Sequence, residues 1–329
     1  MPYFQGTFEE RCLTAGAPKQ LSFFTTVFSS IFLILNIPGN LLVILAVAMD
    51  PHKNLRRPFN YLMANLAVAD LMVGAVTDAL SIYIHVKEGL RAHLYDAEVK
   101  VIHVSYFVSC TASVLSLATL AVERQLATRN PHTYRNEVTG KRILLTIAFI
   151  WFVSLTLPLV YFEVAYITYA FIFANTAVIG VFIITCSVYT VMLRKFRRRA
   201  VKNEDTETRN EDTTTRSEGE HVNYLQQSVT VSSSNLRIIA VQWERKLTRM
   251  FLVVLVAFLC CYGPSTVFIY AMSFCESCSC ETLHWFRDLQ FLFAIMNSSV
   301  NFYCYALRST RFRRAFVSIL RVRRRQHRS

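Results

Sequence analysis

The chain has 329 residues, of which 53% are hydrophobic and 17% are charged, and its formal net charge is +13. This composition is too apolar for an ordinary soluble domain. The Lys and Arg residues lie in short clusters between long apolar runs, which excludes the continuous basic face of a folded nucleic-acid-binding domain.

Seven apolar runs are each long enough to cross about 30 Å of hydrocarbon as a helix, which takes about 20 residues. Residues 1–22 have neither an early basic segment nor a small-residue cleavage site, so the first run is expected to remain as a membrane anchor. The fourth and fifth runs are separated by only a few residues around Glu163. The predicted spans are 23–48, 58–84, 98–126, 142–161, 166–193, 247–272 and 284–307.

The loops between these runs alternate in charge. Lys and Arg are concentrated after the first, third and fifth runs and are few or missing after the second, fourth and sixth. The positive-inside rule therefore predicts a plasma-membrane protein with an extracellular N-terminal segment, 1–22, and a cytoplasmic C-terminus. Within the bundle, 23–307, residues 194–246 are predicted to form a third cytoplasmic loop. This loop is predicted to be largely disordered, because it is rich in Thr, Ser, Glu and Asn and has few aromatic residues.

The segment after the seventh run, 308–329, has a different pattern. Phe312, Phe316 and Ile319 or Leu320 recur at helical spacing among arginines, which is typical of a helix lying on a membrane surface. The predicted fold class is therefore an all-α membrane protein, a seven-transmembrane helix bundle followed by a short amphipathic helix and a basic tail in contact with the lipid bilayer.

Polar residues inside the runs point to a site. An ionisable side chain in a span costs about 2.5–3.5 kcal/mol on insertion scales, and Asp70 lies midway along the second run. A carboxylate surrounded by amides and a hydroxyl is typical of a site for a small hard cation or of a water network. The alternative, polar contacts that only hold helices together, stays open. The residues expected at this depth are Asn40, Asp70, Ser113, Asn297, Ser298 and Asn301.

A second group of charges lies at the ends of the third and sixth runs. Glu244 precedes Pro264 by twenty residues, about 30 Å along a helix, which places it level with Glu123 and Arg124. Arg124 held by both glutamates would form a two-state latch, and Pro264 would give the sixth run a hinge. The simpler alternative is that Glu123 and Arg124 extend to the membrane surface.

Four cysteines are expected outside the membrane: Cys12, Cys275, Cys278 and Cys280. They allow three pairings into two bridges. A zinc site in the Cys-x-x-Cys-x-Cys segment is the alternative, although an oxidising exterior favours disulfides.

Short motifs occur in order along the runs. They are Gly39-Asn40, Asn65-Leu66-Ala67-Val68-Ala69-Asp70-Leu71, Glu123-Arg124-Gln125, Trp151, Tyr189, Cys261-Tyr262-Gly263-Pro264 and Asn301-Phe302-Tyr303-Cys304-Tyr305. Together they resemble the rhodopsin-like (class A) family of G-protein-coupled receptors over residues 23–320. The resemblance implies a receptor rather than an enzyme, which binds an extracellular ligand and acts on heterotrimeric G proteins through outward motion of the sixth helix. Arrestin and receptor kinases are further partners that it implies.

The resemblance also implies roles for individual residues. Asp70, Ser113, Asn297 and Asn301 match the family's site for an allosteric sodium ion, and no other cofactor is expected. Arg124 matches the residue that engages the G protein. The aromatic residues that match moving parts of the family's switch are Tyr189, Phe258, Tyr262, which stands in place of a Trp, and Tyr305.

Several positions depart from the family pattern. Val99 replaces the Cys that usually bridges the third span to the second extracellular loop, and Val181 and Phe302 replace prolines of the fifth and seventh spans. With the very short second loop and the Cys-rich third loop, these departures are most similar to the melanocortin, cannabinoid, lysophospholipid and adenosine receptor branch, and to melanocortin-like receptors above all.

The ligand stays open between a peptide and a lipid-like molecule, because the short second loop leaves the mouth of the bundle open. Tyr106 stands where amine receptors have an Asp, which argues against an amine anchored there. Asp78 is expected to pair with a cationic ligand group, with His103 or with water. The pocket candidates are Asp78, His103, Tyr106, Phe107, Cys110 and Glu163.

A transporter or channel built on a seven-helix bundle is the alternative function. A transporter of this kind is expected to show internal repeats and matching broken helices, and the sequence shows no such repeat. The motifs of membrane-embedded hydrolases, a nucleophile with a base, are also missing from the sequence.

Overall fold

The computed structural model describes Cys12 and residues 16–51, 53, 55, 58–129, 134, 138–164, 166–191, 193–194, 253–254, 256–275, 277–308 and 310–326. Most of the predicted N-terminal segment lies outside these residues. So do Glu244 and nearly all of the predicted third cytoplasmic loop.

The described residues form eight helices. They are α1 Lys19–Met49, α2 Pro58–Gly89, α3 Asp96–Arg129, α4 Gly140–Val164, α5 Tyr166–Val191, α6 Val256–Phe274, α7 Cys280–Arg308 and α8 Thr310–Gln326. Helices α1 to α6 are each long and apolar enough to cross a membrane. Helix α7 has 29 residues, about 44 Å of length, and is less apolar because it carries buried polar residues such as Asp288 and Gln290. The predicted seven-helix bundle with a following helix is confirmed.

The outward face of the bundle is apolar. On α4, Leu144, Leu145, Phe149 and Phe152 are each between 64% and 69% exposed. A soluble protein rarely leaves so large an apolar patch to water, whereas a hydrocarbon solvent is suited to it. Polar side chains of the spans such as Asp70 and Asn301 are buried inside the bundle instead.

The helices extend beyond the predicted spans. Helix α1 begins at Lys19 rather than at residue 23, so its first turn lies in the segment predicted as N-terminal, and α2 continues to Gly89 rather than 84. These end turns carry polar residues such as Gln20, Lys87 and Glu88, which an apolar-run criterion leaves out. The boundary between the extracellular residues 1–22 and the bundle stays a prediction, because a helix can extend beyond the membrane.

The connection between α4 and α5 is as short as predicted. Helix α4 ends in a 3-10 turn, Leu157–Val160, followed by the helical turn Tyr161–Val164, and α5 begins at Tyr166. No long loop between α4 and α5 therefore covers this end of the bundle.

Two helices contain π-helical turns, which insert a residue into the helical repeat and often occur at functional sites. Residues Val73–Asp78 form one in α2, and Ala174–Val178 form another in α5. The first rotates Asp78 towards the helix face that carries Asp70, relative to its direction in a regular α-helix. The second occurs in the helix that lacks the proline usual in similar receptors.

Phe302 replaces a proline without breaking α7, which is helical to Arg308. Its ring packs on the backbone of α1, since a Cβ atom added at Gly39 would lie 2.6 Å from Phe302 Cγ. The centroid of the same ring lies 5.6 Å from that of Phe316 in α8. Phe302 therefore joins α1, α7 and α8.

The amphipathic pattern of α8 is confirmed. Phe312, Phe316 and Ile319 are buried against the bundle, whereas Leu320 is 50% exposed. Of the two residues that the spacing left open, Ile319 is the buried one.

The four predicted cysteines form two disulfides, Cys12–Cys280 and Cys275–Cys278. The first connects the N-terminal segment to the start of α7 and the second closes a turn between α6 and α7. We call this end of the bundle the disulfide end, and the opposite end, where α3 carries Glu123 and Arg124, the Arg124 end.

The two disulfides are expected to differ strongly in their contribution to stability. The sequence separations are 268 and 3 residues, and the chain-entropy model gives the longer loop an advantage of up to about 4 kcal/mol. The double variant Cys12→Ser/Cys280→Ser should therefore unfold at a clearly lower temperature than wild type in intrinsic-fluorescence melts. Cys275→Ser/Cys278→Ser is the matched control and should shift the melt little. Equal shifts in the two double variants would contradict this prediction.

Candidate functional site

Asp70 lies at the centre of the bundle and is fully buried. Ser113 Oγ of α3 donates to Asp70 Oδ1 at 3.0 Å, and Asn301 Nδ2 of α7 donates to Asp70 Oδ2 at 2.9 Å. The carboxylate of α2 is thus held by two helices that are far from it in sequence. These contacts place three of the predicted polar residues in one network.

Asn40 joins this network from α1. Its Nδ2 donates to Asn36 Oδ1 at 2.9 Å and to the carbonyl oxygen of Ser298 at 3.2 Å. Asn36 was not predicted. A polar residue one turn before Asn40 in an apolar run is the signal that would have found it.

Several polar atoms of the network have no hydrogen-bond partner among the described residues. They are Asn36 Nδ2, Asn40 Oδ1, both side-chain polar atoms of Asn297, and Asn301 Oδ1. A buried polar group without a partner costs about 1–3 kcal/mol. The number of unpartnered groups in this one place therefore indicates that waters or an ion complete the network. Carboxylate, amide and hydroxyl oxygens are the donors that hard cations prefer.

The side-chain amide of Asn65 connects α2 to two neighbouring helices. Asn65 Nδ2 donates to Ser116 Oγ at 2.9 Å, and Trp151 Nε1 donates to Asn65 Oδ1 at 2.9 Å. Asn65 therefore connects α2 to both α3 and α4, between Asp70 and the end of the bundle that carries Arg124.

Arg124 is held in place at the Arg124 end. Its Nε and Nη2 donate to Glu123 Oε2 and Oε1 at 2.6 and 2.7 Å, and its guanidinium lies 3.8 Å from the ring centroid of Phe59. Tyr134 donates a further hydrogen bond to Glu123 Oε1. The side chains of Arg124 and Glu123 are 13% and 5% exposed, so this charge-assisted, two-pronged contact is largely shielded from water.

Only part of the predicted latch can be placed. Glu244 lies outside the described residues, so its contact with Arg124 stays a prediction. Tyr134, between α3 and α4, was not predicted, and no local pattern in the sequence distinguishes it. Pro264 lies within the continuous helix α6, and Tyr305 lies in α7, although its side chain is outside the described part.

Three of the predicted aromatic residues of the switch lie in α5 and α6. Phe258 and Tyr262 are buried with ring centroids 4.9 Å apart, and Tyr262 lies close to the thiol of Cys110 in α3. Tyr189 of α5 is half-buried. A buried pair on α6 that contacts α3 is suited to transmit a movement of one helix to the other.

A cavity of about 640 Å³ opens at the disulfide end. Cys12 and His284 lie at its border, so the Cys12–Cys280 disulfide fixes part of its rim. Charges of both signs line it: Glu88, Arg91, Asp96, Lys100, Glu163 and Arg287.

Two of the six pocket candidates, His103 and Glu163, line this cavity. His103 Nδ1 lies 2.9 Å from the Tyr161 hydroxyl, and its ring stacks on Tyr166 with centroids 4.2 Å apart. Both tyrosines also border the cavity.

The other four candidates lie deeper. Tyr106 accepts from Gln290 Nε2 at 2.6 Å, and Gln290 Oε1 accepts from the Tyr166 hydroxyl at 2.8 Å. Phe107 packs edge-on against Tyr169. These residues and Cys110 form a buried floor rather than the cavity wall. Gln290 was not predicted, although a glutamine in a span is a detectable signal.

Asp78 is fully buried, and neither of its carboxylate oxygens has a partner among the described residues. Its suggested pairing with His103 is wrong, because His103 contacts Tyr161 and Tyr166 instead. The π-helical turn that ends at Asp78 directs it into the bundle, which accounts for its burial.

Comparison with known proteins identifies relatives. The family described as 7 transmembrane receptor (rhodopsin family) matches residues 39–165 and 159–305. The alpha-1D adrenergic receptor of Homo sapiens is 27% identical over 332 residues, which covers 92% of this chain and 57% of that receptor. Dopamine receptor 4 of Caenorhabditis elegans is 32% identical over 122 residues, which covers 37% of this chain and 23% of that receptor.

The adenosine receptor A2b of Gallus gallus is 35% identical over 135 residues, 40% of this chain and 37% of that receptor. The chain spans less than two thirds of the length of each of these three relatives. Receptors named for amines and for adenosine both occur among the matches, so the melanocortin-like placement stays a prediction.

Proposed function

Since the chain belongs to the rhodopsin family of seven-transmembrane receptors, we propose that it binds an extracellular ligand and activates heterotrimeric G proteins. The observation that carries this proposal is the contact of Arg124 with Glu123, a charge pair at one end of the bundle that is largely shielded from water. A transporter or channel requires no such pair.

The proposal places the protein in the plasma membrane with the disulfide end outside. Disulfides persist in the oxidising exterior, and the Lys- and Arg-rich loops belong to the opposite face. The Arg124 end is then cytoplasmic, where G proteins, arrestin and receptor kinases are the expected partners.

Signal transmission follows from the contacts of Arg124. In the structure its guanidinium donates two hydrogen bonds to Glu123 and lies over the ring of Phe59. Outward motion of α6, with Pro264 as its hinge, would open the space beside α3 and give Arg124 a competing partner on the G protein. A ligand has to favour the open state by about 1–3 kcal/mol to produce a useful response.

The polar network around Asp70 is the proposed binding site of a sodium ion in the resting state. Asp70, Ser113, Asn297 and Asn301 are the residues that would hold it. The side-chain oxygens of Asn297 and Asn301, which have no partner among the described residues, are suited to such a cation. The ion would supply a positive charge that compensates the buried carboxylate.

The cavity at the disulfide end is the proposed ligand site. Its charges of both signs favour a peptide over a lipid-like ligand, because a lipid-like ligand gains little from six charged side chains. His103 and Glu163 are the predicted pocket residues that such a ligand reaches first, and Gln290 and Tyr106 form the floor below them.

A ligand screen in cells tests this function. Peptide and lipid libraries are applied to cells that express the receptor, and second messengers are recorded. A response is expected from a peptide, and Glu163→Gln should weaken its potency by about tenfold, the equivalent of one charge-assisted contact. Glu281→Gln, an exposed carboxylate outside the cavity, is the matched control.

The same screen separates the classes of function. Arg124→Ala at equal surface expression should remove the second-messenger response while the peptide still stabilises the purified receptor. An equal response from Arg124→Ala would contradict the proposed route to the G protein, and a response confined to lipids would contradict the proposed ligand class.

A further inference from the structure

A second cluster of ligating side chains lies apart from the Asp70 network, near the disulfide end. His85 and Glu88 of α2 and Asp288 of α7 each offer one ligand atom, and these atoms lie within 4.8 Å of one another. His85 and Asp288 are buried, and Glu88 borders the cavity. The cluster contains none of the residues assigned above to sodium or to the switch.

The hydrogen bonds of His85 define which ring nitrogen is available. Nδ1 lies 2.8 Å from the backbone carbonyl oxygen of Ser81. A carbonyl oxygen only accepts, so Nδ1 carries the proton and donates. In the neutral ring Nε2 then has a free lone pair, the arrangement that fixes metal-binding histidines in proteins.

The second ring nitrogen of His85 faces a carboxylate of α7. Nε2 of His85 lies 3.4 Å from Asp288 Oδ2. Nε2 and a carboxylate oxygen this close need either a proton or a metal ion between them. The distance is long for a charge-assisted N–H···O bond, which is about 2.7–2.9 Å. It does match the edge of a tetrahedron with metal–ligand bonds of about 2.0–2.1 Å, the bond lengths of Zn²⁺ with nitrogen and oxygen.

The carboxylates are oriented by neighbours. Asp288 Oδ1 accepts from Arg287 Nε at 2.8 Å and Oδ2 from the Thr25 hydroxyl at 3.0 Å. Ser22 donates to Glu88 Oε2 at 3.0 Å. Such outer hydrogen bonds are typical of metal sites, where they hold the ligands in position.

Among the described residues, Arg287 is the one positive charge beside the cluster, and it contacts both carboxylates. Its Nη2 is 3.5 Å from Glu88 Oε1, longer than a direct hydrogen bond, while its Nε bond to Asp288 is short. With two carboxylates, one guanidinium and a neutral imidazole, the formal charge of the group is −1. A divalent ion that takes Glu88 leaves the Arg287–Asp288 contact in place.

We propose that His85, Glu88 and Asp288 bind Zn²⁺ or a closely similar transition-metal ion at the disulfide end. One imidazole nitrogen with two carboxylates suits zinc rather than calcium or magnesium, which prefer oxygen ligands alone. Three protein ligands leave a fourth position, on the side where Glu88 borders the cavity, for water or for a donor group of the ligand. The ion joins α2 to α7 and thereby couples metal binding to the shape of the cavity.

Thermal unfolding of the purified receptor, freed of metal by a chelator, tests this site. Micromolar ZnCl₂ should raise the unfolding temperature of the wild type, and MgCl₂ and CaCl₂ should not. His85→Asn should weaken zinc binding by at least about tenfold. His93→Asn, a change of an exposed histidine outside the cluster, is the matched control and should respond as the wild type does.

A variant that should bind zinc more tightly makes the test independent of folding defects. Glu88→His provides a second imidazole and should tighten zinc binding by about tenfold or more, since imidazole is a better zinc ligand than carboxylate. No zinc effect on the wild type, an undiminished effect on His85→Asn, or no gain with Glu88→His would each overturn the proposal. The readout requires neither an agonist nor a G protein.

Discussion

Glu123→Gln is expected to raise agonist-independent nucleotide exchange by about tenfold. Hydrogen bonds to a charged group contribute about 1.5–3 kcal/mol each, and the two that Glu123 accepts from Arg124 are largely shielded from water. The amide keeps the shape of the side chain but removes the charge and one acceptor. A loss of about 1.4 kcal/mol from the resting state alone shifts the equilibrium tenfold.

Exchange is measured in membranes that contain equal amounts of receptor and an excess of G protein. Tyr134→Phe removes a single hydrogen bond to Glu123 and should therefore give a smaller rise in the same assay. Glu281→Gln, at the other end of the bundle, should leave basal exchange unchanged. If Glu123→Gln had the same basal exchange as wild type, the Arg124–Glu123 contact would not restrain the resting state.

Asp70→Asn is expected to abolish the effect of sodium on the receptor. Sodium at ten times its dissociation constant stabilises the state that binds it by about 1.4 kcal/mol. The asparagine keeps the volume of the side chain and a partner for Ser113, but it removes the only carboxylate of this network. The unfolding temperature of the wild type should rise with NaCl relative to choline chloride at equal ionic strength, and that of Asp70→Asn should not.

The choline series controls for ionic strength, which screens surface charges in both proteins alike. Asp96→Asn, which changes an exposed carboxylate, is the matched control. Asp288 is not used for this purpose because it is a residue of the proposed zinc cluster. Asp96→Asn should retain the sodium response. If Asp70→Asn responded to sodium as wild type does, the polar network would serve only to hold the helices together.

The contacts of Asp70 could be predicted because a charge inside an apolar span has to be satisfied by the other polar residues at its depth. Ser113 and Asn301 are bonded to it as expected, and Asn40 joins through Asn36. Asn36 and Gln290 were missed although both are polar residues in apolar runs. Neither residue belongs to one of the motifs.

Other features could not be predicted from the sequence, because they depend on the three-dimensional packing of the chain. The direction of Asp78 depends on a π-helical turn, which changes the helical rotation without a local sequence signature. Tyr134 reaches Glu123 through the path of the segment between α3 and α4, a tertiary property. The pairing of Cys12 with Cys280 is one of three combinations that spacing alone left open.

The cluster of His85, Glu88 and Asp288 shows the same limit. His85 and Glu88 are neighbours on one helix, yet Asp288 comes from a helix about 200 residues further along the chain. Only the packing of α2 against α7 brings the three together. Only the hydrogen bond from His85 Nδ1 to the Ser81 carbonyl oxygen makes Nε2 the nitrogen that can bind a metal ion.

Nucleotide exchange by purified components tests the central claim most directly. The receptor is reconstituted in lipid nanodiscs with a panel of heterotrimeric G proteins, as wild type, as Glu123→Gln, and as Glu123→Gln/Arg124→Ala. We predict that Glu123→Gln accelerates exchange on at least one G protein and that the added Arg124→Ala change removes this acceleration. If Glu123→Gln stimulated no member of the panel, or if the double variant were equally active, the proposed role of Arg124 in activating G proteins would be contradicted.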